Sequence, residues 1–333
     1  MSLKNSNRYD LLNIQYPSLF ELYQKQKQAF WIPEEVDLSD DVLDWKNLQQ
    51  NEKDFLLYIL AFFAQADGLV LENLRSNFSL DIPIPEASAF YGIQAGIEAI
   101  HWEMYSLLIQ TFIKDPEVQR QYSDAIRHFS CIRKKAEWMS TWMNNERPLA
   151  ERLIAFCCAE GISFSASFCG IFYFKKKGLM QNLVLSNQFI SRDEGIHRDF
   201  GIEVIRVLRE STPDTANPEL NDIIREVHAL TPERITEIVK ECVQVEETYV
   251  RESLQCDLVD IDSTMMVQYV QFVADHLLSS LDVPKYYKVS NPFDWMDMIS
   301  LEGKQNFFEG RVSEYKKVNA EKIEFDELGS DDF

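Results

Sequence analysis

From Leu153 to Phe174 the chain is mainly apolar, and Glu160 is its only formal charge. A stretch of that length can cross a bilayer as a helix, but a carboxylate near its midpoint would then cost ~2.5–3.5 kcal/mol on insertion scales. The alternative is a helix buried on all sides in a large bundle, with the acid compensated by a metal. Other segments supply matching ligands, so the buried helix is the preferred reading and no membrane span is expected. With 333 residues, 46% of them hydrophobic, the chain can bury such a core.

The prolines, at 17, 33, 83, 85, 116, 148, 213, 218, 232, 284 and 292, fall mostly between periodic segments, where helix boundaries belong. They predict helices at roughly 50–80, 86–113, 117–145, 149–176, 180–210, 219–229, 232–258 and 262–282. Hairpin signals are scarce, so the fold class is all-α. No G-x-G-x-x-G or Walker-type loop is present to cradle phosphates. A net charge of −21 argues against direct nucleic-acid binding, which draws its affinity from Lys and Arg clusters. Six cysteines without a C-x-x-C pair, at 131, 157, 158, 169, 242 and 256, suit a reducing cytosol. The N-terminus MSLKNSNRYD has no apolar signal-like region, and a cytoplasmic location is expected.

Two Glu-x-x-His pairs stand out, Glu98 with His101 and Glu194 with His197. At about 100° per residue an i, i+3 pair shares one helix face and can offer a carboxylate and an imidazole to one metal. Each pair alone is as compatible with a hydrogen-bonded core histidine. Together they use two of only five histidines, both in apolar helices. Carboxylate-bridged two-metal bundles need one further acid from each of two other helices. Asp67, in LAFFAQADGLVLENL, and Glu160, in AFCCAEGISFSASF, are isolated acids in apolar sequence. A salt-bridged or neutral buried acid is the bland alternative for each, and two metals would neutralise both. Mixed oxygen and nitrogen donors suit iron or manganese. Tyr105 follows His101 by four residues and shares its stripe; by spacing alone it is a core tyrosine. Phe164, Phe168 and Ile190 would face the same interior.

These residues, with FWIPEEVDL, IEAIHWEMYSLLIQTFIKDP, KKKGLM, NPFDWM and ISLEGKQNFFE, closely resemble the small, radical-generating subunit of class I ribonucleotide reductase, in its eukaryotic-type branch. The resemblance runs from about Phe30 to the C-terminus. It implies a ferritin-like bundle with additional helices, two iron ions per chain (or manganese), Asp67, Glu98, His101, Glu160, Glu194 and His197 as ligands, and Tyr105 as the radical site. It further implies a relay through Trp31, Asp193 and His101, with Tyr315 passing oxidation to the large subunit. Expected partners are O₂, a second copy of the chain in a homodimer, and the large subunit, which binds the ribonucleotide. The expected division is an N-terminal segment 1–30, a metal-binding domain 31–310 and a flexible acidic tail 311–333 that docks to the large subunit. That tail includes NAEKIEFDELGSDDF, with six carboxylates and Leu328 and Phe333 as apolar anchors. Trp102 departs from the family, placing a bulky side chain next to His101 where a small one is usual, and the ending GSDDF is not the commonest form.

The competing functions are a di-iron oxygenase or desaturase acting on a bound organic substrate, which would need an apolar substrate channel, and a non-catalytic ferritin-like metal-binding protein. The relay-like residues favour the reductase component over the first. A metal count near two per chain, rather than many irons per assembled shell, would separate it from the second.

Overall fold

The computed structural model describes residue 11 and residues 13–213, 220–254 and 261–296. The first unit, Met1–Pro292, is built from helices: α1 (Pro17–Gln28), α2 (Asp41–Asn47), α3 (Gln50–Asn73), α4 (Ser79–Asp81), α5 (Pro85–Phe112), α6 (Pro116–Ser123), α7 (Ala125–His128), α8 (Ser130–Trp142), α9 (Leu149–Cys158), α10 (Ser165–Lys177), α11 (Gln181–Glu210), α12 (Asn221–Ala229), α13 (Pro232–Ser253) and α14 (Ser263–Ser280). No strand occurs among the described residues, in keeping with the all-α expectation. A second unit begins at Phe293, and only 293–296 of it are described.

Proline sets the starts where expected. It occupies the first turn of α1, α5, α6 and α13, where a missing N–H leaves no helical bond unmade. Asp115 reinforces α6 by accepting from Glu117 N at 2.8 Å, and Asp262 does the same for α14 through Met265 N at 2.8 Å. Gly178, at φ 70°, closes α10 in the left-handed conformation that favours glycine.

Three features depart from the helices read off the sequence. Residues 117–145 form α6, α7 and α8 rather than one helix, because extended backbone at Phe129 brings its ring against Tyr58 and Tyr122. The freed carbonyls of Ile126 and Arg127 accept from the Arg133 guanidinium. α1 and α2 lie ahead of the first predicted helix. Two long helices are interrupted by π-helical turns, Leu74–Phe78 and Ala159–Ser163.

The bundle centre is a ring in which α3 packs on α5, α5 on α11, α11 on α10, and α10 back on α3. The stretch Leu153–Phe174 runs through this ring with its residues almost wholly buried by protein. It is a core helix, as its lone acid suggested.

Candidate metal centre

Three helices of the ring, and the π-turn that leads into the fourth, contribute acid or imidazole. Asp67 comes from α3, Glu98 and His101 from α5, Glu160 from the π-turn between α9 and α10, and Glu194 and His197 from α11. All six are essentially inaccessible to solvent. Their donor atoms converge in two groups, Asp67 with Glu98 and His101, and Glu98 with Glu160, Glu194 and His197. Within each group these atoms lie within 4.8 Å of one another, and Glu98 belongs to both. His197 Nδ1 stands 3.0 Å from Glu98 Oε1 and 3.2 Å from Glu194 Oε2. His101 Nδ1 stands 2.9 Å from Glu194 Oε1.

The donor set fits two divalent cations, because its own residues cannot balance it. Four acids face two imidazoles, and Asp67 Oδ2 and Glu160 Oε2 are buried without a hydrogen-bond partner. Burial, then the nearby Glu98 charge, pushes Asp67 well above the usual carboxylate range. Burial and the Glu194 charge do the same to Glu160. Burial works against charge on His197, yet Glu98 and Glu194 outweigh it and lift the imidazole to about 9. Glu194 stays ionised against its burial through hydrogen bonding from Glu160 and the two histidines. In protein alone, neutrality is therefore reached by taking up protons, and bound cations replace those protons.

Several partners orient the donors. Gln94, one turn before Glu98, donates to Glu160 Oε1 at 3.1 Å and to Glu98 Oε1 at 3.4 Å. Asp193 Oδ2 lies 3.3 Å from His101 Nε2 and accepts from Trp31 Nε1 at 2.8 Å, so Trp31, Asp193 and His101 form a continuous buried series. Gln26 of α1 donates to Asp193 Oδ1 at 3.3 Å, and Arg192 pairs with the same oxygen at 3.1 Å while donating to Ala29 O. Trp31 is buried, whereas Phe30 and Ile32 on either side of it are exposed.

Tyr105 is buried with its hydroxyl unpaired. Burial first, then the charge of Asp67, holds its phenol well above the ordinary value. Its ring stacks on Phe63 at 4.5 Å between centroids with 5° between planes. Phe63 in turn meets Phe164 and Phe168.

Among the residues that sequence reasoning missed, Phe63 and Gln94 were within reach, each four residues before a singled-out acid and therefore on its face. Gln26 was not, since nothing local relates α1 to Asp193. Trp102 does not crowd His101: it is 49% exposed and lines a surface cavity of about 400 Å³ with Gln65, Gly68 and Ser106. Adjacent helix positions point about 100° apart, which carries the indole outward. Tyr315, Cys256 and the tail 311–333 lie outside the described residues.

The family model described as "Ribonucleotide reductase, small chain" matches residues 8–292. The chain belongs to that family. It is 47% identical, over 317 residues, to a ribonucleoside-diphosphate reductase small chain from Arabidopsis thaliana, with 95% of this protein and 88% of the relative covered. The Dictyostelium discoideum small subunit is 45% identical over 316 residues, with 95% and 88% covered. These relatives place this small chain in the eukaryotic-type branch and make it a small subunit of an oxidoreductase. Among solved structures, the Rnr4 homodimer of Saccharomyces cerevisiae aligns at TM-score 0.74 and 30% identity, covering 94% of this protein and 91% of that one. The R2 subunit from Clostridium botulinum aligns at TM-score 0.77 and 22% identity, over 88% and 91%, and shows the shared ferritin-like fold.

Proposed function

We propose that this small chain holds two iron ions on Asp67, Glu98, His101, Glu160, Glu194 and His197 and stores an oxidising equivalent on Tyr105 for a large subunit that reduces ribonucleotides. The observation that carries this reading is Glu98, common to two buried donor groups, with Tyr105 one turn beyond His101 on the same helix. The iron pair, when bound, supplies a one-electron oxidant drawn from O₂; the same donors accept manganese. Glu98, common to both donor groups, would serve both positions, and Gln94 orients Glu98 and Glu160. Asp193 engages His101 Nε2 and leaves Nδ1 for metal. Tyr105 would give up one electron to that oxidant and its phenolic proton to a carboxylate of the cluster, while burial first and then the Asp67 charge keep the resting phenol protonated. Packing by Phe63, Phe164 and Phe168 excludes water and reductants from the oxidised ring.

Oxidation then leaves through His101, Asp193 and Trp31, and through Tyr315 in the tail, to a ribonucleotide-binding large subunit docked by residues 311–333. The chain works as a homodimer in the cytoplasm, with 1–30 as its N-terminal segment and 31–310 as the metal-binding domain. Mixing the iron-loaded chain with a related large subunit should give deoxyribonucleotide formation that neither protein supports alone. A good radical yield with no product from any related partner would count against the assignment.

A further inference from the structure

The register slip that carries Glu160 has a buried support of its own. In a π-helical turn the backbone bonds span one residue more than in an α-helix, so carbonyls and N–H groups around it lose their α-helical partners. Ala159–Ser163 is such a turn, and its last carbonyl, Ser163 O, accepts a 2.6 Å hydrogen bond from Lys135 Nζ of α8. Lys135 is 1% exposed and its ammonium lies 2.6 Å from Glu246 Oε2 of α13, which is equally buried. The same ammonium sits 3.4 Å from the ring centroid of Phe62 and 3.9 Å from that of Tyr249. Ser165 Oγ adds a 2.7 Å bond to Ile162 O, so two consecutive carbonyls of the slipped turn are held by side chains.

Stability alone is a weak reason for this pair. Replacing a buried ion pair by apolar side chains of similar volume is often neutral or stabilising. What an apolar pair cannot do is donate to Ser163 O, three residues from Glu160 and at the end of the same turn. The lysine therefore has a backbone partner whose position sets the reach of a ligand.

We propose that Lys135 is a positioning residue for the metal centre: by holding Ser163 O, it keeps the π-turn in the register that brings Glu160 to Glu98, Glu194 and His197. Glu246 compensates the lysine charge in the core. The proposal rests on the two-metal reading above.

The test uses Mn(II) alone with the full-length protein. Free ion is followed by its EPR signal, and spin coupling reports whether two bound ions share a bridge. Wild type should bind two Mn(II) per chain and give a coupled spectrum. The double variant Lys135→Met/Glu246→Met should keep the helical circular dichroism of wild type and a cooperative melt, its midpoint lowered only by the unsatisfied Ser163 carbonyl. Its affinity for one of the two ions should fall by about 10–100-fold, the range seen when groups that orient a ligand are removed, and uncoupled Mn(II) should replace the coupled spectrum. A double variant that binds both ions as tightly as wild type, with the same coupling, would overturn the proposal. Wild type that fails to bind two ions would instead break the metal reading. If the double variant does not fold, Glu246→Gln decides: it retains the Lys135 bond to Ser163 O, so wild-type affinity is expected, and a loss would overturn the proposal.

Discussion

The molecule buries charge in two places, and the two are built on opposite logic. Around Lys135 one ammonium meets one carboxylate, and a carbonyl and two aromatic faces take up the rest of the cation's interactions. Around Glu98 four carboxylates meet two imidazoles, and several buried atoms find no protein partner. The first region is closed in that it balances one charge against one of opposite sign, although burial still pulls the Lys135 ammonium down and pushes Glu246 up to about 7. The second is an excess of donors, and such an excess inside a core signals a ligand that is not protein.

Opposite responses to charge removal follow from that contrast. The largest effect belongs to the closed pair: Lys135→Met alone should cost about 3–5 kcal/mol in urea unfolding, because it strands Glu246. A near-neutral result would erase the distinction between the regions. The pH dependence of the open cluster comes next. In metal-free protein, folded His197 titrates at about 9, above its ordinary value near 6.5, so the folded state holds the extra proton between these limits. Its contribution, about 3 kcal/mol at 1.4 kcal/mol per unit, is fully present below pH 6.5 and lost as pH rises through 9. The raised pKa values of Asp67 and Glu160 act in the same direction. Metal-loaded protein should lack this decline, since its imidazoles are held neutral by the ions. Thermal melts at pH 6.5 and 9, with and without Mn(II), check both signs.

A smaller effect of reversed sign is expected when an acid of the cluster is neutralised. In metal-free protein at pH 7, Glu160→Gln removes the proton uptake that folding demands of a carboxyl with a raised pKa, and should stabilise by about 1–3 kcal/mol. The same variant should lose metal at one position. Destabilisation of the metal-free form would show the cluster to be as closed as the Lys135 pair. Trp102→Ser gives the smallest change, within about 0.5 kcal/mol in stability, as for surface residues, and an unaltered radical yield. A marked change in yield would mean that the exposed indole still reaches His101.

The open cluster was far more legible in the sequence than the closed pair. Isolated acids in apolar helices and two Glu-x-x-His pairs are local patterns, and α-helical periodicity turns them into positions on one face. Lys135 and Glu246 sit in helices with ordinary charged faces, and only the packing of α8 against α13 reveals that these two are inside. The π-turn at Glu160 was hidden for a related reason: an apolar run buried on every side has no polar face whose drift would betray an extra residue. Phe129 escaped because a side-chain contact with Tyr58 and Tyr122 overrode helical continuity. Asp193 of α11 meets Trp31 in the loop that follows α1, a juxtaposition that came from family resemblance and not from spacing.

The central proposal is that metal held by the open cluster, after reaction with O₂, would take one electron from Tyr105. Loading the protein with Fe(II) under anaerobic conditions, exposing it to O₂ and recording the EPR spectrum tests that claim directly. A tyrosyl radical signal in wild type that vanishes in Tyr105→Phe, with metal binding unchanged, is the predicted result; no tyrosyl signal in wild type, or the same signal in Tyr105→Phe, would contradict it.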